Sequence, residues 1–339
     1  MKIALDAAGG AQGPAPNIEG AILAANAWGV EFILTGPADI LRQELTARGI
    51  SSDDRRFELV DAPDVITRDE DPVSACRAKP RASILVAAEL VAARRADALV
   101  SAGHPGATMT AALWALKRLP GILRPALAVP IPTPAGLSVL LDGGANTDCK
   151  PWHLVQFAQM GIALSRRLYG KQIPSVGLLS LGGEPGRDNE LVVETLLRLK
   201  SSCPGFLGLV DARDVTAGKT DVVVCDGYAG NVLLKSMEGT VSAMTALLKK
   251  DLQSDWRRRL AGMLLKDVFV RLRRKMNYEE YGGAPILGID GAVVLCHGSS
   301  SARAISHAVH AATTAAETGL AAAVREAVAP AEAAAQNAA

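Results

Sequence analysis

Short runs of consecutive apolar residues recur along the chain, each closed by a cluster of Gly, Asp, Asn or Ser and followed by an Ala/Leu-rich stretch. The runs lie at Lys2 to Asp6, Ala98 to Val100, Leu137 to Leu141, Val176 to Leu179, Asp221 to Cys225 and Ala292 to Cys296. A strand covered by helices on both faces has no polar side. Continuous apolar runs, rather than alternating ones, therefore predict a buried parallel sheet. Their regular succession with helical stretches predicts an α/β fold with a mostly parallel, doubly wound sheet and helices on both faces. The Gly/Asp/Asn/Ser clusters then fall at the carboxyl ends of the strands, where such sheets collect ligands. No fixed sequence period accompanies the recurrence, which excludes a solenoid.

One segment breaks the pattern. Between Lys249 and Lys275 stand ten Lys or Arg and three Asp, a local net charge of +7 in a chain whose formal net charge is +1. Within it Trp256, Leu260, Leu264, Val268, Leu272 and Met276 recur every fourth residue, which predicts a basic amphipathic helix or helical hairpin. The expected organisation is a single α/β domain over 1–320, carrying this protruding segment at about 243–277. An Ala-rich end, 321–339, is expected to fray from a helix into a disordered tail.

Composition narrows the class. With 339 residues, 49% of them hydrophobic, the chain can bury a large core. Its near-neutral charge supplies no global field for nucleic acid, so any charge-driven binding is local. Cys76, Cys149, Cys203, Cys225 and Cys296 form no C-x-x-C pair and read as reduced residues of a cytoplasm-like compartment. Met1 leads directly into a strand-like run without the regions of a secretory signal. The longest uncharged stretches, 98–116 and 125–141, contain Gly and Pro that argue against membrane spans. His153, His297, His307 and His310 lack metal-ligand spacing, and no metal site is expected.

Gly-rich turns that enter helices suit anions, because glycine lets the backbone approach and the first helical N–H groups are unpaired. None of the loops matches a nucleotide fingerprint. Two of them carry more than glycine. Asp142-Gly143-Gly144-Ala145-Asn146 runs on to Lys150-Pro151, and Asp226-Gly227-Tyr228-Ala229-Gly230-Asn231 has Lys235 one helical turn further. Two lysines and two asparagines at one sheet edge can hold an anion and a developing oxyanion. Alternatively, Asn146 and Asn231 are turn or N-cap residues and both lysines are simply solvated.

At these residues the chain resembles the phosphate acyltransferases of bacterial phospholipid synthesis, the PlsX family, from Met1 to about Ala311. The resemblance rests on Lys2 to Gly10, Val100 to Gly106, Arg124-Pro125-Ala126, Leu140 to Ala158, Val176 to Glu190, Asp221 to Gly239, Tyr281 to Gly288 and His297-Gly298-Ser299-Ser300. It implies a fold like that of phosphotransacetylases and isopropylmalate-type dehydrogenases. It also implies a homodimer without cofactor that transfers a long-chain acyl group from acyl carrier protein to inorganic phosphate. Phosphate is already an anionic nucleophile near pH 7 and a thiolate leaves readily, so such a site need only neutralise, orient and stabilise.

On this reading Lys150, Asn231 and Lys235 are the catalytic residues. Gly9, Gly10, Ser101, Gly103, His104, Gly143, Gly144, Asn146, Asp226 and Gly230 complete the phosphate site. Trp256, Arg257, Arg258, Arg259, Leu260, Met263, Leu264, Lys266, Phe269, Arg271, Arg273 and Arg274 would meet the acidic carrier protein or an anionic membrane surface. The product would pass to a membrane glycerol-3-phosphate acyltransferase, which places the protein in the cytoplasm at the inner membrane face. The chain departs from the family pattern at Ala8, Ala11, His104 and Pro105, and around Cys76 to Arg81. His104 is either a new general base or a loop residue making an asparagine's hydrogen bond. The alternatives are a phosphotransacylase using acyl-CoA and a non-catalytic binding or scaffold homologue.

Overall fold

The structure, a computed structural model, describes residues 1–182, 188–276 and 281–336, without the side chains of 272–276 and 329–336. The strands divide into two sheets. The first has seven in the order β3 (Phe57–Asp61), β2 (Glu31–Gly36), β1 (Lys2–Asp6), β4 (Ala98–Ser101), β12 (Ala292–Leu295), β11 (Ala284–Leu287) and β5 (Ala126–Leu127). All its pairings are parallel up to β12, and β11 is antiparallel to both of its neighbours. The second runs β6 (Val129–Thr133), β7 (Gly136–Leu141), β10 (Val222–Val224), β8 (Val176–Leu179) and β9 (Phe206–Val210), parallel except for the β6–β7 hairpin. The chain passes from the first sheet to the second through Ala128, between β5 and β6, and returns to the first between β10 and β11.

All six predicted strands are present, and both faces of the central ones are covered. In β1, Ile3 and Leu5 pack with Ile18 and Ile305. Ala4, between them, faces the opposite layer with Ile84, Leu85 and Ala88. The helices responsible are α1 (Pro14–Trp28) and α12 (Ala302–Glu317) on one side and α4 (Ser83–Ala92) on the other. In the second sheet Leu141 and Val224 meet Leu154, Phe157 and Leu164 of α6 (Pro151–Tyr169).

The Ala-rich end begins in the core. It is helix α13 (Leu320–Gln336), and Leu320, Val324 and Val328 are buried in the core beside α6. Their four-residue spacing is a helical stripe that the surrounding alanines mask in the sequence. Residues 337–339 of the expected tail lie outside the described residues. The basic segment forms the end of α9 (Gly227–Leu252), then α10 (Trp256–Leu264) and α11 (Lys266–Met276). Among described residues from 242 to 271 only Leu252, Gly262 and Phe269 are even partly covered, so this stretch exposes nearly all of its side chains, although α11 approaches β6. Among the described residues no helix is long and apolar enough to cross a membrane.

Candidate functional site

The loop after β7 is organised by Asp142, whose side chain is fully buried. Its Oδ1 accepts N–H bonds from Leu127, Gly144 and Ala145 at 2.9, 3.3 and 3.2 Å. Its Oδ2 accepts the backbone and side-chain N–H groups of Asn146 at 2.7 and 2.8 Å. Asn146 also donates to the Pro125 carbonyl at 2.8 Å, and Gly143 N–H donates to the Leu127 carbonyl. The N–H groups of Gly143, Gly144 and Asn146 are thus engaged within the loop. Burial pushes the Asp142 carboxyl above the usual carboxylate range, and the accepted hydrogen bonds pull it back.

Helix α9 is seated on this loop. Asp226 caps it by accepting the Ala229 N–H at 2.7 Å, and Gly227 N–H donates to the Asn146 carbonyl at 2.7 Å. The approach requires glycine at position 230, where a Cβ would lie 2.0 Å from the Asp142 carbonyl oxygen. This seating brings Asn231 against Gly144, whose φ of 136° only glycine adopts readily. A Cβ there would be 3.4 to 3.7 Å from Asn231 side-chain atoms. Asn231 is exposed and is not a cap. Lys235, one turn on, pairs with Glu238 at 2.7 Å.

At the far end of the same loop Lys150 is exposed at the N-terminus of α6 and gives its N–H to His153 Nδ1 at 3.0 Å. That leaves the ring proton on Nε2. Burial, with the charges of Arg124 and Lys150, lowers the His153 pKa and holds the ring neutral. Arg124 donates to the Asp148 carbonyl at 2.7 Å, adding a cation that the sequence reading did not assign to the site. Burial and the carboxylates of Asp142 and Asp226 push the Cys149 thiol up to about 12, and buried Cys225 is also raised. Neither is a thiolate nucleophile near neutral pH.

The first sheet repeats the device. Asp6, at the end of β1, is 1% exposed. It accepts the hydroxyls of Ser83 and Ser101 at 2.6 and 2.7 Å and the Gly9 N–H at 3.2 Å. Gly103 N–H donates to Ser101 Oγ at 3.0 Å. Gly9 and Gly103 are packed around this carboxylate, and Gly10 lies against the carbonyls of Ala102 and Gly298. Burial raises the Asp6 pKa against those hydrogen bonds. His104 caps α5 (Pro105–Ala115), its Nδ1 accepting the N–H groups of Gly106 and Ala107 at 3.0 and 3.3 Å. That is the loop hydrogen bond of the second reading of this residue. Ala11 N–H donates to the Gly298 carbonyl at 2.7 Å.

The α9 turn and the β12 loop are electrostatically coupled. Burial and the charges of Lys235 and Arg68 lower the His297 pKa, Glu238 opposing them. Helix α9 of the second sheet therefore lies within electrostatic reach of the β12 loop of the first. Arg68 and Lys235 both act on His297, while Arg124 and Lys150 lie along the β7 loop. Arg68, Asp6 and Asp142 were not foreseen as site residues. The basic helices form a separate surface: Trp256, Met263 and Leu264 are 70%, 66% and 79% exposed, and Arg257 stacks over Trp256 at 5.4 Å. The side chains of Arg273 and Arg274, and Gly183 and Glu184 of the β8 loop, lie outside the described residues.

Comparison with known proteins gives a concordant picture. The family described as "Fatty acid synthesis protein" matches residues 1–323. A phosphate acyltransferase of Elusimicrobium minutum is 45% identical over 319 residues, covering 94% of this chain and 93% of that one. Another, of Pelotomaculum thermopropionicum, is 42% identical over 320 residues with coverage of 94% and 93%. Among solved structures, a phosphotransacetylase from Streptococcus pyogenes superposes with a TM-score of 0.61 at 17% identity over 94% of each chain, a likeness of fold.

Proposed function

This chain belongs to the phosphate acyltransferase family, enzymes that transfer an acyl group to phosphate, and from that premise we propose that its donor is a long-chain acyl-acyl carrier protein and its product an acyl phosphate for phospholipid synthesis. The observation that carries this reading is the placing of Asn231 against Gly144 at the carboxyl ends of β7 and β10, with Lys235 one turn away and within electrostatic reach of the β12 loop.

The chemistry asks little of proton transfer. A phosphate oxygen attacks the thioester carbonyl carbon, and the carbonyl oxygen gathers negative charge. The C–S bond then breaks and carrier thiolate leaves, taking a proton from water. Lys150 and Lys235 neutralise the incoming phosphate, and the Asn231 amide donates to the developing oxyanion. Removing one such donor from a site of this kind costs about 10²–10³ in turnover. The Asp142 and Asp6 carboxylates do not meet substrate on this reading; they fix the loops that position the donors.

The exposed basic and apolar helices α10 and α11 support a docking role. Arg257, Arg258, Arg259, Lys266 and Arg271 would steer the acidic carrier protein. Trp256, Leu260, Met263 and Leu264 would rest on an anionic inner membrane face, where the homodimer would hand its product to a membrane glycerol-3-phosphate acyltransferase. The deciding experiment is thiol release from palmitoyl-acyl carrier protein and palmitoyl-CoA, with and without inorganic phosphate. Phosphate-dependent release from the carrier protein, lost in Lys150→Ala and Lys235→Ala, is expected. Wild-type turnover in both variants removes the assignment of the lysines, and release from palmitoyl-CoA alone replaces the donor.

A further inference from the structure

We infer that the acyl chain lies in a cavity on the side of α9 turned toward α7 (Glu190–Ser202), with Ala229 and Val232 limiting its length; this rests on the long-chain acyl donor proposed above. The cavity measures about 520 Å³, within the roughly 300–1,000 Å³ of small-molecule sites. Its walls are Leu154 of α6, Leu178 of β8, Leu191 of α7, and Ala229, Val232 and Leu233 of α9. Leu154 and Leu178 are covered, whereas Val232 is 49% and Tyr228 68% exposed, leaving apolar carbon against water at the rim. Among the described residues no Lys or Arg lines it, and the charged side chains there are Asp188 and Asp226. It therefore disfavours phosphate and suits the uncharged alkyl part of the substrate.

Its position relative to Asn231 supports the same occupant. At about 100° per residue, Asn231, Lys235 and Glu238 form one line along α9, and Tyr228, Val232 and Ser236 form the adjoining line. Asp226 lines the cavity and also caps the helix that presents Asn231. A single substrate can thus bring its carbonyl to Asn231 and its tail to the cavity across one end of β10.

The test separates chain binding from catalysis. Each methylene moved out of water contributes about 0.8 kcal/mol, or roughly fourfold in affinity. Ala229→Leu fills the space of about three methylenes, so its affinity for the fluorescent fatty acid cis-parinarate should fall roughly 50-fold. In the same variant kcat/KM for hexadecanoyl-carrier protein should fall comparably, while octanoyl-carrier protein stays within about threefold. Val232→Trp, at the exposed rim, provides a second variant less prone to misfold and should shift preference the same way. Unchanged parinarate affinity and chain-length preference in both variants overturns the cavity assignment. Parinarate binding that both variants weaken, in a wild-type protein without phosphate-dependent thiol release, upholds the cavity and overturns only the acyl-transfer reading.

Discussion

Replacing Asp142 by asparagine tests the central claim that a buried carboxylate, not the glycines themselves, holds the site loop. Asp142 accepts five N–H groups, three on Oδ1 and two on Oδ2. An amide keeps one oxygen and turns the other position into a donor, so two or three of these N–H groups lose their acceptor. At about 1–3 kcal/mol for each buried unsatisfied group, the gross loss is about 2–9 kcal/mol. Burial opposes ionisation of Asp142, and removing its charge returns part of that, leaving an expected net destabilisation of about 2–4 kcal/mol. Because the folded carboxyl keeps its proton to higher pH than the unfolded one, wild-type stability falls as pH rises through that window, a slope the variant loses. Asn146 would also hold Gly227 less firmly, and displacement of Asn231 by about 1 Å should lower turnover about 10²-fold. Urea unfolding followed by far-ultraviolet circular dichroism, with phosphate-dependent thiol release on the same samples, reads both effects. A stability change under about 0.5 kcal/mol with turnover unaltered would refute the reasoning.

Three further perturbations probe the surrounding framework. Gly230→Ala gains about 1 kcal/mol of helix propensity in the abstract but must move the new Cβ off the Asp142 carbonyl; a net loss of about 1–3 kcal/mol by thermal unfolding is expected, and a gain would contradict the seating of α9. Lys235→Ala removes a cation that lowers the His297 pKa and frees Glu238, which raises it, so the His297 titration followed by nuclear magnetic resonance should move up; no movement would separate α9 from the β12 loop. The Glu70 carboxylate is held at about 2 by Lys79 and Thr67. Its stabilisation is present above the usual glutamate value of about 4.3 and is lost as pH falls toward 2, so Glu70→Gln should flatten the acid limb of the urea midpoint between those values.

The strands that could be read from sequence were those with continuous apolar runs. Strand β6 escaped because Pro130 and Pro132 argue against a strand, yet it lies at the edge of its sheet, where missing N–H groups are tolerated. The division into two sheets was not legible either, since the first crossing is a single residue, Ala128, and no linker composition marks the place. In the site, the glycine loops and the Asn231–Lys235 turn stood out in the sequence. Their organisers did not, because an aspartate closing a strand looks like any turn residue until its burial is known. Asp6 and Asp142 are distinguished only by the N–H and O–H groups that converge on them from distant segments. Arg124 carried a signal in the Arg124-Pro125-Ala126 resemblance, but its proximity to Lys150 and His153 depends on the return of β7 beside β6.

Helix α9 is unbroken from the turn that bears Asn231 and Lys235 to the start of the basic helices, 26 residues in all, or roughly 39 Å. The body holds its first turns, Gly230 pressed on the Asp142 carbonyl and Leu234 and Met237 packed on the second sheet. The free arm from Met237 to Leu252 is roughly 22 Å, and Lys235 lies roughly 3 Å on the other side of Met237. A sideways push on the tip therefore reaches the lysine reduced about sevenfold. A tip excursion of several ångströms becomes a sub-ångström to ångström adjustment at the site, the scale on which positioning governs rate.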